Sequence, residues 1–215
     1  MKKVKVKICG ITNWADARRA CEAGADFLGF NFYPRSPRYI APGKARQIVQ
    51  RLPRGVAAVG VFVNETEASV LHTAREVGLS YIQLHGDESP AAVSRLGRSL
   101  PIVKAVRVGK SFRAGQLRRF KNASAILLDG FDGRVRGGSG KTFEWARARG
   151  TKNRARIFLA GGITAENVRD AISIVRPYAI DVCSGTEKSP GKKDAAKIKA
   201  LMRAVSGSHR RTEKS

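Results

Sequence analysis

Val4-Lys5-Val6-Lys7-Ile8-Cys9-Gly10-Ile11-Thr12-Asn13 opens the chain with an apolar alternation that stops at Cys9. Alternation with period two predicts a β-strand, and the glycine after Cys9 predicts that a loop begins there. From Trp14 the spacing becomes helical, with Ala17, Ala20, Cys21 and Gly24 recurring on one face. A strand followed at once by a helix is one βα unit, the repeating piece of parallel α/β folds.

The unit recurs along the whole chain. Strands are predicted over Val4–Cys9, Phe27–Phe32, Ala57–Val63, Tyr81–His85, Ile102–Val108, Ala125–Asp129, Ile157–Ala160 and Tyr178–Cys183. Helices are predicted over Trp14–Ala23, Pro42–Leu52, Glu65–Val77, Pro90–Leu100, Phe112–Phe120, Phe143–Arg149, Ala165–Val175 and Asp194–Val205. Eight such units, of roughly 25 residues each, are the arithmetic of a single-domain (βα)8 TIM barrel over residues 1–205. A doubly wound open sheet is the alternative, but it usually has fewer strands. Asn13 and Asn64 are expected to cap the first and third helices. Pro42, Pro90 and Thr164 stand where first turns or caps belong, and Gly24 and Gly78 follow helices as stops. The remaining residues, 206–215, form a basic tail expected to be disordered.

Composition narrows the class. A chain of 215 residues with 42% hydrophobic residues and 22 glycines suits one globular α/β domain. No apolar run reaches the ~18 residues of a membrane span, and no apolar stretch follows the basic N-terminus as in a signal peptide. The three cysteines have no Cys-x-x-Cys spacing, which predicts free thiols and a cytoplasmic setting. Cys21, inside a helical pattern, reads as a small buried residue. The net charge of +24 invites a nucleic-acid reading. The basic residues are dispersed, however. Segments such as Arg113 to Lys121, Arg147 to Arg156 and Lys192 to Lys199 alternate with apolar residues, as solvated helix faces do. The expectation is a basic surface that attracts small anions, with no specific nucleic-acid partner.

In a barrel, function collects at the C-terminal ends of the strands. Those ends carry Cys9-Gly10, Asn31 to Arg38, Val63-Asn64, Gln83-Leu84-His85-Gly86, Arg107, Asp129-Gly130, Gly161-Gly162 and Asp181 to Gly185. Backbone N–H groups in the turns Ala160-Gly161-Gly162-Ile163-Thr164 and Cys183-Ser184-Gly185-Thr186, after strands seven and eight, can hold a phosphate. The stretch Arg136-Gly137-Gly138-Ser139-Gly140-Lys141-Thr142 is only superficially a P-loop. Val135 stands where its first glycine belongs, and no strand leads directly into it. It reads instead as a flexible loop after strand six, able to close over an anion. Lys7 shares strand parity with Cys9, so both side chains can point into the barrel. Lys7 then either helps to hold a Cys9 thiolate or pairs with an acid such as Asp181.

Together these residues resemble the phosphoribosylanthranilate isomerase family of tryptophan biosynthesis. The resemblance runs to about Val205. It rests on Lys7-Ile-Cys-Gly-Ile-Thr12, Gly29-Phe-Asn-Phe-Tyr-Pro34 with Ser36-Pro-Arg-Tyr-Ile40, Gly60-Val-Phe-Val-Asn64, Gln83-Leu-His-Gly86, Leu127-Leu-Asp129, Gly137-Gly-Ser-Gly-Lys-Thr-Phe143, Ala160-Gly-Gly162, Asn167-Val168 and Asp181-Val-Cys-Ser-Gly185. Two positions depart from the family pattern: Gly130 follows Asp129 where threonine is common, and Cys183 stands where serine is usual.

The resemblance implies the Amadori rearrangement of N-(5-phosphoribosyl)anthranilate to 1-(2-carboxyphenylamino)-1-deoxyribulose 5-phosphate, without cofactor or metal. It implies Asp129 as general acid, Cys9 as general base and Arg38 as the partner of the anthranilate carboxylate. His85, Gly161, Gly162, Asp181, Ser184 and Gly185 are the remaining expected substrate contacts, although a lone histidine such as His85 is more often structural. A free thiol ionises near ~8.5, so Cys9 must be drawn toward the thiolate while Asp129 must hold a proton often enough. A cationic mouth favours the first and the apolar run Ile126-Leu127-Leu128 the second. The expected partner is a small molecule carrying phosphate and carboxylate, acted on by a monomer or homodimer. Histidine-pathway isomerases on similar barrels use paired aspartates on strands one and five, where this chain has Cys9 and Arg107. A nucleic-acid-binding barrel would explain the charge but not Cys9, Asp129 and the glycine turns.

Overall fold

A computed structural model describes residues 3–130, 145–153 and 155–207. Eight parallel strands close into one barrel in chain order: β1 (Lys5–Cys9), β2 (Phe27–Asn31), β3 (Ala57–Phe62), β4 (Tyr81–Leu84), β5 (Ile102–Val108), β6 (Ala125–Gly130), β7 (Ile157–Leu159) and β8 (Ala179–Val182). The seam joins the first strand to the last, with Lys7 opposite Asp181 and Ile8 opposite Val182. Among the described residues six α-helices surround it: α1 (Trp14–Glu22), α2 (Pro42–Val49), α3 (Glu67–Val77), α4 (Pro90–Leu96), α5 (Val168–Val175) and α6 (Ala195–Gly207).

Two expected helices are not α-helical where they are described. Ala114–Phe120 is a 3-10 helix, and after β6 come short 3-10 turns at Trp145–Ala148 and Thr151–Asn153. Each buries a single side chain, Leu117, Ala148 or Thr151. That is too narrow an apolar stripe to dock a full α-helix against the barrel. The glycine-rich loop Arg136–Thr142, the expected helix start at Phe143 and the tail from residue 208 lie outside the described residues.

The caps follow the sequence in part. Asn13 Oδ1 accepts the Asp16 N–H at 2.9 Å, as expected. Asn64 does not cap α3. It takes a left-handed φ of 55°, which asparagine tolerates, and accepts the Asp87 N–H at 2.7 Å, so it ties two mouth loops together. Thr66 is the cap instead, accepting the Ser69 N–H at 3.2 Å. Thr164 does not start α5 either. Its N–H donates to Asn167 Oδ1 at 2.9 Å, and Asn167 Nδ2 donates to Gly162 O at 2.9 Å, so the helix begins only at Val168. Gly78 ends α3 at φ 77°, as its position predicts.

The core has two layers. The outer one lies between strands and helices and includes Ile8, Leu28, Ile82, Ile126 and Ile180. The inner one fills the barrel floor, where the Phe27 ring meets Phe158 at 5.2 Å and Tyr81 at 5.8 Å, both edge-on. Strand alternation then stacks Lys7, Gln83 and Asp181 above this plug, and Cys9, His85, Asp129 and Cys183 above them. The basic residues are not all surface residues: Lys7, Lys104 and Lys193 are buried. Lys193 corrects the expectation of a solvated face over Lys192–Lys199. It belongs to β10 (Lys192–Lys193), paired antiparallel with β9 (Glu187–Ser189), and its Nζ donates to Cys183 O at 3.1 Å and Glu187 Oε1 at 3.2 Å. Among the described residues no helix is long and apolar enough to cross a membrane.

Thr66→Ala should cost about 1 kcal/mol of stability through the lost cap. A lower midpoint at unchanged slope in urea unfolding would show it. An unchanged midpoint would mean that α3 needs no side-chain cap.

Candidate active site

The strand ends enclose a cavity of about 430 Å³ at the C-terminal mouth. Its walls carry Cys9, Arg38, His85, Asp129, Asp181 and Cys183, and its rim the turn Ala160 to Ile163 with Ser184. Most of the residues singled out from sequence therefore meet in one place. Gly185 is the exception: it stands behind the wall, where a Cβ would strike the carbonyl of Ile163. Its role is to let the two turns press together. Gly161 and Gly162 adopt positive φ of 85° and 64°, and a Cβ on Gly161 would collide with the Gly130 backbone. Among the described residues the N–H groups of Gly161, Gly162 and Ile163 have no acceptor.

A chain of polar contacts crosses the barrel beneath the cavity. Lys7 Nζ donates to Asp181 Oδ2 at 2.8 Å and to Gln83 Oε1 at 2.9 Å. Gln83 Nε2 then lies 2.9 Å from His85 Nδ1, and His85 Nε2 lies 3.2 Å from Asp129 Oδ2. Chemistry fixes every role in this chain. An ammonium cannot accept, so the Gln83 oxygen must face Lys7 and its NH2 must face His85. Nδ1 is then an acceptor, the imidazole proton sits on Nε2, and that proton is donated to Asp129. Asp129 is thereby oriented, with Oδ1 left beside Gly161, where a Cβ would lie 3.3 Å from it. Gln83 opens the run Gln83 to Gly86 at the end of the fourth strand, but an uncharged amide there has no chemistry of its own to announce a role. Its inward parity with His85 was the available signal.

Lys7 also answers the question left open by its parity: it does both things. Burial pushes the ammonium toward neutrality, but the charges of Asp181 and Cys9 outweigh it and hold Lys7 protonated. Asp181 is pushed up to about 6 by burial, which the Lys7 charge opposes and the Cys9 charge reinforces. Its Oδ1 is buried and has no hydrogen-bond partner among the described residues.

Cys9 is held well below the usual thiol range. A hydrogen bond from Cys183 favours its thiolate most, burial opposes, and the charges of Lys7 and Lys193 add to the lowering. Cys183 is correspondingly pushed up, by its bond to Cys9 and by burial, so it keeps its proton. Its sulfur also lies 3.7 Å from Glu187 Oε1. Glu187, the acid that the sequence did not single out, is buried in β9 and bonds Arg38 through Nε (2.9 Å) and Nη2 (2.7 Å). One edge of the Arg38 guanidinium is thus occupied, and Nη1 has no partner among the described residues. Arg35 is exposed at the rim. Gly10 permits the crowding here, with φ of 78° and a would-be Cβ 2.9 Å from Arg38 Cδ.

Residues 6–204 match the family model for N-(5'-phosphoribosyl)anthranilate (PRA) isomerase. The chain belongs to the PRA isomerase family. Within that family it is 45% identical, over 93% of this chain and 94% of the relative, to the N-(5'-phosphoribosyl)anthranilate isomerase of Pelobacter propionicus. The crystal structure of phosphoribosyl anthranilate isomerase from Thermus thermophilus superposes with a TM-score of 0.88 at 39% identity, covering 95% of this chain and 99% of that one. A phosphoribosyl anthranilate isomerase in complex with reduced 1-(o-carboxyphenylamino)-1-deoxyribulose 5-phosphate superposes with a TM-score of 0.82 at 42% identity, with the same coverage.

Gln83→Glu tests the polar chain directly. A carboxylate offers no N–H to His85, so Nδ1 must become a donor. Imidazole 15N NMR should show a proton on Nε2 alone in the parent at neutral pH and on Nδ1 in the variant. A parent ring protonated on Nδ1 would overturn the assigned tautomer.

Proposed function

We propose that this chain performs the family's reaction, the Amadori rearrangement of N-(5'-phosphoribosyl)anthranilate, by general acid–base catalysis with Asp129 as acid and Cys9 as base. What carries the proposal is the meeting, in one cavity, of a thiol favoured as thiolate, an oriented carboxyl group and a rim of unpartnered backbone N–H groups.

The substrate phosphate lies on the N–H groups of Gly161, Gly162 and Ile163 with Ser184 beside them, where fixed backbone dipoles suit an anion. Asp129 Oδ1 is next to this turn, which brings it near the ribose ring oxygen a few bonds from the phosphate. Asp129 donates a proton to that oxygen as the C1–O bond breaks, and the nitrogen lone pair forms the C=N bond of an open-chain iminium. Cys9 thiolate then removes the proton on C2, and the electron pair of that C–H bond flows toward the iminium to give the enolamine. Tautomerisation yields the ketose. His85 holds the other Asp129 oxygen as an acceptor, so the transferable proton is confined to Oδ1. The free oxygen of Asp181 accepts a hydrogen bond from the substrate. Arg38 meets the anthranilate carboxylate with its Nη1 edge, since Glu187 takes the other. The abundant positive charge concentrates a doubly anionic substrate at the mouth.

Cys9→Ser retains the size but not the accessible anion. It should lower kcat by roughly 10²–10⁴ with little change in KM, and Asp129→Asn should do likewise. Steady-state kinetics with the anthranilate substrate decide it: near-parental kcat in either variant removes that residue from the chemistry.

Arg38→Ala should raise KM far more than Arg35→Ala, because only Arg38 is held in place at the wall. Equal effects in the same assay would place the carboxylate elsewhere.

A further inference from the structure

Cys183 is not a reacting group in the chemistry above, yet it is a second thiol in the same cavity. The barrel seam aligns Ile8 with Val182, and the residues that follow this pair are Cys9, which ends β1, and Cys183, the first residue past β8. Both follow the inward parity of Lys7 and Asp181, and both line the cavity. Adjacent parallel strands run about 4.8 Å apart, inside the roughly 4.4–6.8 Å separation of Cα atoms that a disulfide spans. The Cys183 side chain is also the strongest of the influences that draw Cys9 toward the thiolate.

We propose that Cys9 and Cys183 form a reversible disulfide, an oxidative modification site that switches the barrel off under peroxide. Hydrogen peroxide entering the cavity meets the Cys9 thiolate. Sulfur attacks the nearer peroxide oxygen, an S–O bond forms and the O–O bond breaks. The leaving hydroxide takes a proton to become water; the sulfur is oxidised by two electrons and the peroxide is reduced. Cys183, losing its proton, then attacks the sulfenic sulfur of Cys9. The S–S bond forms, the S–O bond breaks and a second water leaves. Two features suit Cys183 to this second step. Once Cys9 is neutral, its contribution no longer opposes ionisation of Cys183; burial and Glu187 still oppose it, and the ammonium of Lys193 favours it. Cys183 also sits beside the reacting sulfur, the position of a resolving thiol. Cys21 is the internal contrast: it lies on α1 outside the barrel, and burial and Glu22 push its thiol up.

The switching effect rests on Cys9 being the catalytic base, whereas the linkage does not, so the two are measured separately. The purified protein is treated with hydrogen peroxide, its remaining thiols are blocked with iodoacetamide, and it is digested and weighed. The expected result is a peptide pair joined through Cys9 and Cys183, two hydrogens lighter than the reduced pair. Activity should be lost in step with its yield and recovered fully on dithiothreitol. In Cys183→Ser the same treatment should carry Cys9 on to sulfinic acid, and dithiothreitol should no longer restore activity. A parent in which Cys9 is alkylated, over-oxidised or linked to Cys21 overturns the proposal. A linked protein that keeps its activity overturns the switch. Cys9→Ser kinetics then tell whether the base assignment has failed with it.

Discussion

Lys7 is a primary ammonium buried on the barrel axis, and most of the site is arranged around it. Removing such an ion from water carries a penalty of several kcal/mol, about as much again for the acid that pairs with it, unless both are fully hydrogen-bonded. Asp181 and Gln83 accept from the ammonium, from β8 and β4, and of the two Asp181 oxygens only Oδ1 is left without a partner among the described residues. Once the ammonium is in place it dictates its surroundings. It turns the Gln83 amide one way, fixes the proton of His85 through that amide, and orients Asp129 through the histidine. On its other side its charge favours the thiolate of Cys9. A single buried cation thus poses both the carboxyl group and the thiol, which stand on strands β6 and β1.

The same economy appears at the seam between β8 and β1. Glu187 is buried among Arg38, Lys193 and Cys183. It neutralises Lys193 and holds Arg38 rigid without occupying its whole fork. Gly10 makes room for this cluster. One carboxylate thus faces two cations, and the positive charge left over lies beside Cys9, where it favours the thiolate. The glycine turn after β7 completes the mouth without any side-chain charge, through backbone N–H groups left open by positive-φ geometry at Gly161 and Gly162.

Basic residues in this chain do two unlike jobs. Dispersed on the surface, they account for most of the +24 charge. Buried, as Lys7, Lys104 and Lys193, they act as multivalent donors that tie strand ends and loops together; Lys104 alone donates to the carbonyls of Leu84 and Gly86 and to Glu88. Composition cannot separate these two uses, because burial is a property of parity and register.

The periodicity from Val4 to Thr12, repeated eight times, was enough to determine the barrel, and with it the fact that Cys9, His85, Asp129 and Asp181 share its mouth. Strand alternation is local and strict, so parity could be read residue by residue. Motif order determined the family. Three kinds of feature were decided only by the folded chain. Helix form after β5 and β6 depended on how little apolar surface those segments could dock. Caps depended on whether a side chain was claimed by a neighbouring loop, as Asn64 is by Asp87. The roles of Gln83, Glu187, Lys193 and Cys183 depended on register across strands far apart in sequence. A hydrogen bond needs its partners within about 3 Å, and only closure of the barrel brings residue 7 to residues 83 and 181.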